Sequence, residues 1–109
     1  MLTLMVEMFS SGATDDVEAI VASDYLDHQG LGTGPVRGPS GFRTVVRAAR
    51  AGSAGLDVTI EDLIEQDDRC AARLRWRGTR LSGEGVERET LEFVRVRNGM
   101  AVEHWGGRS

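Results

Sequence analysis

The sequence predicts an α+β fold, in which helices come first and an antiparallel sheet follows. Apolar residues recur at helical spacing in the first half of the chain, up to Gly52. From Leu56 onward they alternate with polar residues, as they do in strands with one buried face. Asn98-Gly99, between two such segments, is typical of a β-hairpin. Helices segregated from antiparallel strands indicate α+β rather than a doubly wound parallel fold, and 109 residues suffice for one domain.

Three helices are predicted in the first half. The first spans about Leu2 to Ser10 and ends at Gly12. Thr14-Asp15-Asp16 supplies a capping residue and first-turn acids for a second helix, whose apolar residues are Val17, Ile20 and Val21. The third opens at Gly38-Pro39-Ser40 and ends at Gly52, with a buried stripe of Phe42, Val45, Val46 and Ala49. Between the last two helices we expect a short extended piece, Asp24 to His28, and a glycine-rich loop, Gln29 to Gly38.

At least four strands are predicted in the second half. They begin at Leu56, after the turn Gln66-Asp67-Asp68, at about Glu87 and at Met100, and the last ends near Trp105. One face of the sheet must pack on the helices, and we assign to it Val58, Ile60, Ile64, Cys70, Ala72, Leu74 and Trp76. The opposite face carries Arg73, Arg75 and Arg77 near Glu61 and Glu65. This face is either solvated or a polar dimer interface.

Composition excludes several functional classes. With 13 Lys+Arg and 17 Asp+Glu the net charge is −4, so we expect no nucleic-acid partner and no membrane partner. Residues 1–10 contain no basic residue and do not resemble a signal peptide, so we expect a cytoplasmic protein. All basic residues are Arg, which excludes a Schiff-base lysine, and Cys70 is the single cysteine, which excludes an internal disulfide. Two histidines without a 2-His–carboxylate spacing argue against a metal site.

A series of short segments resembles the SnoaL-like polyketide cyclases over nearly the whole chain. The segments are Thr14-Asp15-Asp16-Val17, Ser23-Asp24-Tyr25-Leu26, Gly38-Pro39-Ser40-Gly41-Phe42, Glu61-Asp62-Leu63-Ile64 with Asp68-Arg69, Arg75-Trp76-Arg77-Gly78-Thr79, and Arg97 to Trp105. Each segment alone is weak, but their order and spacing together are fairly specific for the family.

The resemblance implies the nuclear-transport-factor-two-like fold, in which a cone-shaped curved antiparallel sheet wraps around three N-terminal helices and encloses a pocket. It also implies a homodimer through the convex sheet face, and ring closure by acid/base chemistry with neither metal nor other cofactor. The family's acid/base aspartate falls on Gly106, a pocket histidine on Glu92 and a neighbouring glutamine on Thr90.

Four polar residues interrupt the apolar face, namely Asp62, Thr90, Glu92 and His104. Buried ionisable groups of this kind concentrate at functional sites, although structural ion pairs also account for many of them. A three-residue loop at the hairpin would place Glu92 opposite His104, whereas a two-residue loop would place it opposite Trp105. We expect His104 to act as a general base held by Glu92, with Asp62 as a further catalytic candidate. Trp76, Thr90, His28, Tyr25 and Phe42 are the predicted ligand-binding residues.

Three functional hypotheses follow. The first is a cofactor-independent enzyme that cyclises, isomerises or opens an epoxide in a small apolar, polyketide-like molecule. The second is a non-catalytic binder of such a ligand, which Gly106 favours because glycine cannot move a proton. The third is a dimerising accessory subunit, which a closed core filled by Trp76 and Met100 would favour.

Overall fold

The computed structural model describes residues 1–108 and has three helices and six strands within them. The helices are α1 (Leu2–Ser11), α2 (Val17–Ile20) and α3 (Gly38–Ala51). The strands are β1 (Val21–Asp27), β2 (Val36–Arg37), β3 (Ala54–Gln66), β4 (Arg69–Thr79), β5 (Gly85–Arg97) and β6 (Met100–Arg108). They form one sheet in the order β2-β1-β6-β5-β4-β3. The α+β class is therefore confirmed, and none of the described helices is long and apolar enough to cross a membrane.

The first half departs from the prediction at Val21. We expected this residue in the second helix, but that helix ends at Ile20, and Val21 begins β1. Strand β1 runs parallel to β6, with Asp27 beside His104, so the expectation of a wholly antiparallel sheet is wrong. The apolar spacing of Val17, Ile20 and Val21 fits a helix, but long-range pairing with β6 decides the conformation.

The core lies between α1, α3 and the sheet face that packs on them, which we call the inner face. Val58, Cys70, Ala72, Leu74 and Trp76 are buried there, as predicted. Helix α1 contributes Leu2, Met5 and Val6, and α3 contributes Phe42 and Val46. The ring of Phe9 meets the rings of Phe42 and Trp76 edge to face, at centroid distances of 5.7 and 5.1 Å.

A bulge in β3 reverses which side chains face inward. The pairing with β4 shifts between Ile60 and Asp62, so that Ile64 comes to lie opposite Ala71. Ile64 therefore points to the outer face and is 70% exposed, and its predicted place in the core is wrong. One extra residue is enough, because a shift of one position moves every later side chain to the other face.

A second bulge sets the register of the last hairpin. Asn98 and Gly99 form a two-residue turn with φ of 54° and 76°, and Arg97 lies opposite Met100. The pairing then shifts at Val102, so that Glu92 lies opposite Gly106 and His104 opposite Val94. Neither predicted register is correct, since both assumed a continuous ladder. Glu92 and His104 nevertheless share the inner face.

Candidate active site

An open cavity of about 440 Å³ lies between the inner face and helices α1 and α3. Its wall is largely apolar and aromatic, with Leu2, Met5, Val6, Phe9, Tyr25, Phe42, Leu74 and Trp76. Polar side chains lie along one side, namely Asp27, Gln29, Arg88, Thr90, Glu92, His104 and Arg108. An apolar cavity with a few convergent polar groups is the usual form of a small-molecule site.

The imidazole of His104 lies between two carboxylates beside this cavity. Its Nδ1 is 2.8 Å from Oδ1 of Asp27, and its Nε2 is 2.5 Å from Oε1 of Glu92. Relative exposures are 3% for Asp27, 7% for Glu92 and 8% for His104, so the three groups are largely withdrawn from water. We call these three residues the acid–histidine cluster.

Strand geometry brings the cluster together. Asp27 ends β1 and is the parallel partner of His104 on β6. Glu92 lies on β5 opposite Gly106, two residues beyond His104, so the two side chains meet diagonally on one face. Asp27 Oδ1 also accepts the backbone N–H groups of Gln29 and Gly30, at 2.9 and 3.1 Å, which ties the start of the loop to the cluster.

These contacts favour the imidazolium form of His104. A neutral ring would turn a nitrogen lone pair toward one of the carboxylates, whereas the cation donates N–H bonds to both. Burial lowers the pKa of His104, but the hydrogen bonds to Asp27 and Glu92 outweigh it and raise the pKa to about 9. Burial likewise raises the pKa of Asp27, and the bonds from His104, Gly30 and Gln29 bring it below its ordinary value. The sequence led us to expect a neutral ring held by Glu92, and these contacts favour a charged ring instead.

Glu92 occupies the space beside Gly106. A Cβ added at Gly106 would lie 2.4 Å from Oε1 of Glu92 and 2.6 Å from Oε1 of Gln29. The carboxylate at position 92 therefore stands where a side chain at position 106 would start. The resemblance places the family's aspartate at position 106, so this chain keeps a carboxylate in the same region but brings it from the neighbouring strand.

Two polar atoms of the cavity wall lack partners within residues 1–108. Glu92 Oε2 accepts no hydrogen bond from these residues, and the hydroxyl of Tyr25 neither donates nor accepts one among them. In the same part of the chain no fully buried side-chain oxygen lacks a partner, so both atoms must be open to the cavity. Burial, with the charges of Asp27 and Glu92, raises the pKa of Tyr25, so its phenol keeps its proton and can donate it.

The predicted ligand-binding residues separate into two groups. Tyr25, Phe42, Trp76 and Thr90 line the cavity, and the indole N–H of Trp76 donates to Thr90 Oγ1 at 2.8 Å. His28 lies elsewhere: its ring stacks on Trp105 at 4.8 Å and contacts Glu103 at 2.7 Å. Successive strand residues point to opposite faces, so a His directly after an inward Asp27 turns outward.

Asp62 is also outside the cavity, and its predicted position on the cavity wall is wrong. The β3 bulge turns it to the outer face, where its carboxylate contacts Arg73 at 2.7 Å. Its side chain is 70% exposed. Asp62 thus belongs to the ladder of Arg73, Arg75 and Arg77 with acids of β3 and β5, which includes Arg75–Glu61 at 3.1 Å and Arg75–Glu87 at 2.5 Å. Of the two acids predicted for this face, Glu61 joins the ladder, whereas the bulge places Glu65 opposite the inward-facing Cys70, so its predicted place beside the arginines is wrong.

Asp27 was not among the predicted site residues. The sequence offers one indication of its position: Asp27 follows Tyr25 by two residues, so the two side chains lie on the same face of the strand. Within the described residues, no group of three or more His, Cys, Asp or Glu side chains could hold a metal ion. Both ring nitrogens of His104 are already engaged by carboxylates.

Comparisons with known proteins identify the family. The model of the SnoaL-like polyketide cyclases matches residues 1–107. No curated protein matches the chain significantly. Among solved structures, IdmH from Streptomyces antibioticus is 26% identical with a TM-score of 0.85, over 97% of this chain and 87% of that one.

Two further structures share the fold at lower identity. A SnoaL-like polyketide cyclase from Agrobacterium tumefaciens is 19% identical with a TM-score of 0.83, over 99% of this chain and 87% of that one. A protein with a ketosteroid isomerase-like fold from Catenulispora acidiphila is 12% identical with a TM-score of 0.86, over 99% and 84%. The family match spans nearly the whole chain, and this chain therefore belongs to the SnoaL-like polyketide cyclase family.

Proposed function

We propose that this protein is a cofactor-independent enzyme that moves a proton on a small apolar, polyketide-like molecule. The reaction would be a cyclisation, an isomerisation or an epoxide opening. The observation that carries the proposal is the acid–histidine cluster, a set of buried ionisable groups beside an open apolar cavity. Buried charges are costly, and clusters that retain them are enriched at functional sites.

Glu92 is the proton-transferring residue in this proposal. Its Oε1 is held by the imidazolium of His104, and its Oε2 is open to the cavity. A carboxylate with one fixed and one open oxygen can take a proton from a carbon next to a carbonyl and return it. His104 positions this carboxylate, and Asp27 orients the His104 ring from the opposite side.

Tyr25 supplies the complementary group. Removal of the proton leaves negative charge on the carbonyl oxygen of the substrate, as an enolate. The phenol of Tyr25 is protonated, open to the cavity and without a hydrogen-bond partner in residues 1–108, so it can donate to that oxygen. In a conjugated substrate, Glu92 can return the proton to a different carbon of the dienolate, which is isomerisation. Alternatively the enolate carbon attacks a second carbonyl of the same molecule, and the resulting alkoxide takes the proton back from Glu92, which is aldol cyclisation.

The contact between Glu92 and Gly106 favours an enzyme over a non-catalytic binder. The binder hypothesis depends on the missing aspartate at position 106, but Glu92 brings a carboxylate to that place. An open cavity beside Trp76 likewise weighs against a purely dimerising subunit, whose core would be closed.

Deuterium exchange tests this function without knowledge of the natural substrate. Polycyclic ketones such as 2-tetralone and 5-androstene-3,17-dione are incubated with the protein in D2O, and deuterium at the carbon next to the carbonyl is measured by NMR. We expect exchange faster than in buffer, and a fall of about 10²–10⁴-fold in Glu92→Gln, the range for loss of a general acid or base.

Asp62→Asn is the matched control, because Asp62 is a carboxylate of the same sheet that lies outside the cavity. It should exchange at the wild-type rate. No exchange above buffer with any ketone of the panel, or an unchanged rate in Glu92→Gln, would contradict the proposed function.

A further inference from the structure

Two arginines stand at the rim of the cavity and have no acidic partner. Arg88 and Arg108 both line it, and both also line an adjoining cavity of about 420 Å³. Neither forms an ion pair within the part of the chain that the structure describes. The guanidinium of Arg88 instead lies over the ring of Trp76, 4.9 Å from its centroid. By contrast, Arg73, Arg75 and Arg77 on the outer face are all paired with carboxylates.

The rim arginines and the acid–histidine cluster occupy the same two strands. Every second residue of a strand points to the same face of the sheet. Residues 88, 90 and 92 of β5 therefore lie on one face, and residues 104, 106 and 108 of β6 lie on that same face. Thr90 lies opposite Arg108, and Glu92 lies opposite Gly106. Arg88 and Glu92 are four positions apart on β5, and His104 and Arg108 are four positions apart on β6, which corresponds to about 13 Å along a strand.

This arrangement gives the cavity opposite charges at its two ends. The cluster sets two acidic side chains against one imidazole, so acidic groups outnumber basic ones at its end of the cavity. The rim carries two guanidinium groups, and the wall between them is aromatic and aliphatic. A neutral apolar ligand would gain nothing from two unpaired cations at the entrance. An apolar acid would bind them through its anionic group, and the acidic cluster would disfavour the opposite orientation, in which the anion points inward.

We propose that the substrate is an apolar acid whose anionic group binds Arg88 and Arg108, while its reacting carbon lies at Glu92. This proposal rests on the proposed function for the identity of the reacting end. The strand distance then sets the separation between anion and reacting carbon at roughly 13 Å, on the order of the length of a two- or three-ring acid. Guanidinium groups bind carboxylates and phosphates alike through paired N–H bonds, so the shared chemistry is an oxyanion.

Binding of three related probes tests the proposal. They are biphenyl-4-acetate, its neutral methyl ester and biphenyl-4-ylmethyl phosphate, and binding is followed by calorimetry and by quenching of tryptophan fluorescence. We expect the acid to bind the wild-type protein at least about 10-fold more tightly than the ester, the gain typical of a charge-assisted contact. Raising the salt concentration should reduce this preference, because the rim arginines are exposed. If the phosphate probe binds more tightly than the carboxylate probe, the anionic group of the substrate is assigned as a phosphate ester. If the carboxylate binds more tightly, it is assigned as a free carboxylic acid.

Substitution of the rim arginines locates the binding site. Arg88→Met and Arg108→Met should each lower the affinity for the acid by about 5-fold or more and leave the affinity for the ester unchanged, since methionine keeps much of the apolar stem. Arg47→Met is the matched control: Arg47 is an exposed arginine of α3 that lines neither cavity. It should keep the wild-type preference.

Equal affinities of acid and ester in the wild-type protein, including undetectable binding of both, would overturn the proposal. So would a preference for the acid that survives in the double variant Arg88→Met, Arg108→Met. The binding experiment is independent of turnover. Acid-selective binding without deuterium exchange would contradict the proposed function and the reacting end at Glu92, while supporting the anion site at Arg88 and Arg108. Exchange without acid selectivity would contradict the anion site alone.

Discussion

Asp27 and Glu92 face the two nitrogens of the His104 ring, which favours the charged form of that ring in an apolar cavity. The same contacts link the charge to folding. The pKa of His104 is raised from an ordinary value of 6.5 to about 9 in the folded protein. The raised pKa contributes to the stability of the folded state. This contribution is complete below pH 6.5 and is lost as the pH rises through about 9.

The first prediction is therefore a loss of stability in mild alkali. The free energy of unfolding, measured by urea denaturation, should fall by about 3 kcal/mol between pH 6.5 and 9, since one proton contributes about 1.4 kcal/mol for each pH unit. His104→Gln should flatten the profile over this range. His28→Gln, which changes the other histidine, should keep it. A wild-type profile as flat as that of His104→Gln would contradict the assigned charge.

At the scale of the strands, two single-residue bulges decide which side chains reach the cavity. Most of the strands and their core residues could be predicted, because alternation is a local signal that Val58, Leu74 and Trp76 obey. The bulges at Glu61 and Val102 could not, because an inserted residue leaves no mark in the alternation until the pairing is known. They explain why Glu92 and His104 were placed on the right face in the wrong register, and why Asp62 was placed on the wrong face.

Asp27 was missed for a different reason. Its role depends on the parallel pairing of β1 with β6, which joins segments 77 residues apart in sequence. Local periodicity shows that Asp27 shares a face with Tyr25, but not which strand will lie beside it. Glu92 and His104 could therefore be predicted from the sequence, whereas Asp27 could be assigned to the cluster only from the tertiary structure.

The β5–β6 pairing predicts opposite effects of alanine at two adjacent glycines. Gly106→Ala would push against Glu92 and Gln29, whereas a Cβ at Gly107 would meet no atom within 4 Å. We expect Gly106→Ala to lower the free energy of unfolding by about 1–3 kcal/mol, as for overpacked sites, and to slow deuterium exchange. Gly107→Ala should stay within about 0.5 kcal/mol of wild type in urea denaturation. Equal effects of the two substitutions would mean that Glu92 does not occupy the space beside Gly106.

At the scale of the whole molecule, the outer face carries an apolar row beside its charge ladder. Ile64, Ala71, Phe93 and Trp105 are consecutive cross-strand partners from β3 to β6. Ile64 is 70% exposed, and Leu91 on the same face is 51% exposed. We propose that a second copy of the chain covers this row, sheet against sheet, because exposed apolar rows bordered by polar groups mark protein interfaces.

Sedimentation equilibrium tests this assembly. The wild-type protein should be a dimer at micromolar concentration, and Ile64→Arg should make it a monomer, because it places a charge in the apolar row. Leu81→Arg is the matched control, since Leu81 is fully exposed in the β4–β5 connection and lies outside the row. A wild-type monomer, or a dimer that Ile64→Arg leaves intact, would contradict the proposed interface.

The charge state of His104 is the point on which the proposed mechanism depends, and NMR measures it directly. The chain has only two histidines, so ring nitrogen signals of ¹⁵N-histidine-labelled protein can be assigned with His104→Gln and followed from pH 6 to 10. We predict that both ring nitrogens of His104 are protonated at pH 7 and that the ring loses a proton near pH 9. A neutral His104 ring at pH 7 would contradict the account, because Glu92 would then lack the cation that holds it and His104 itself would be the available base.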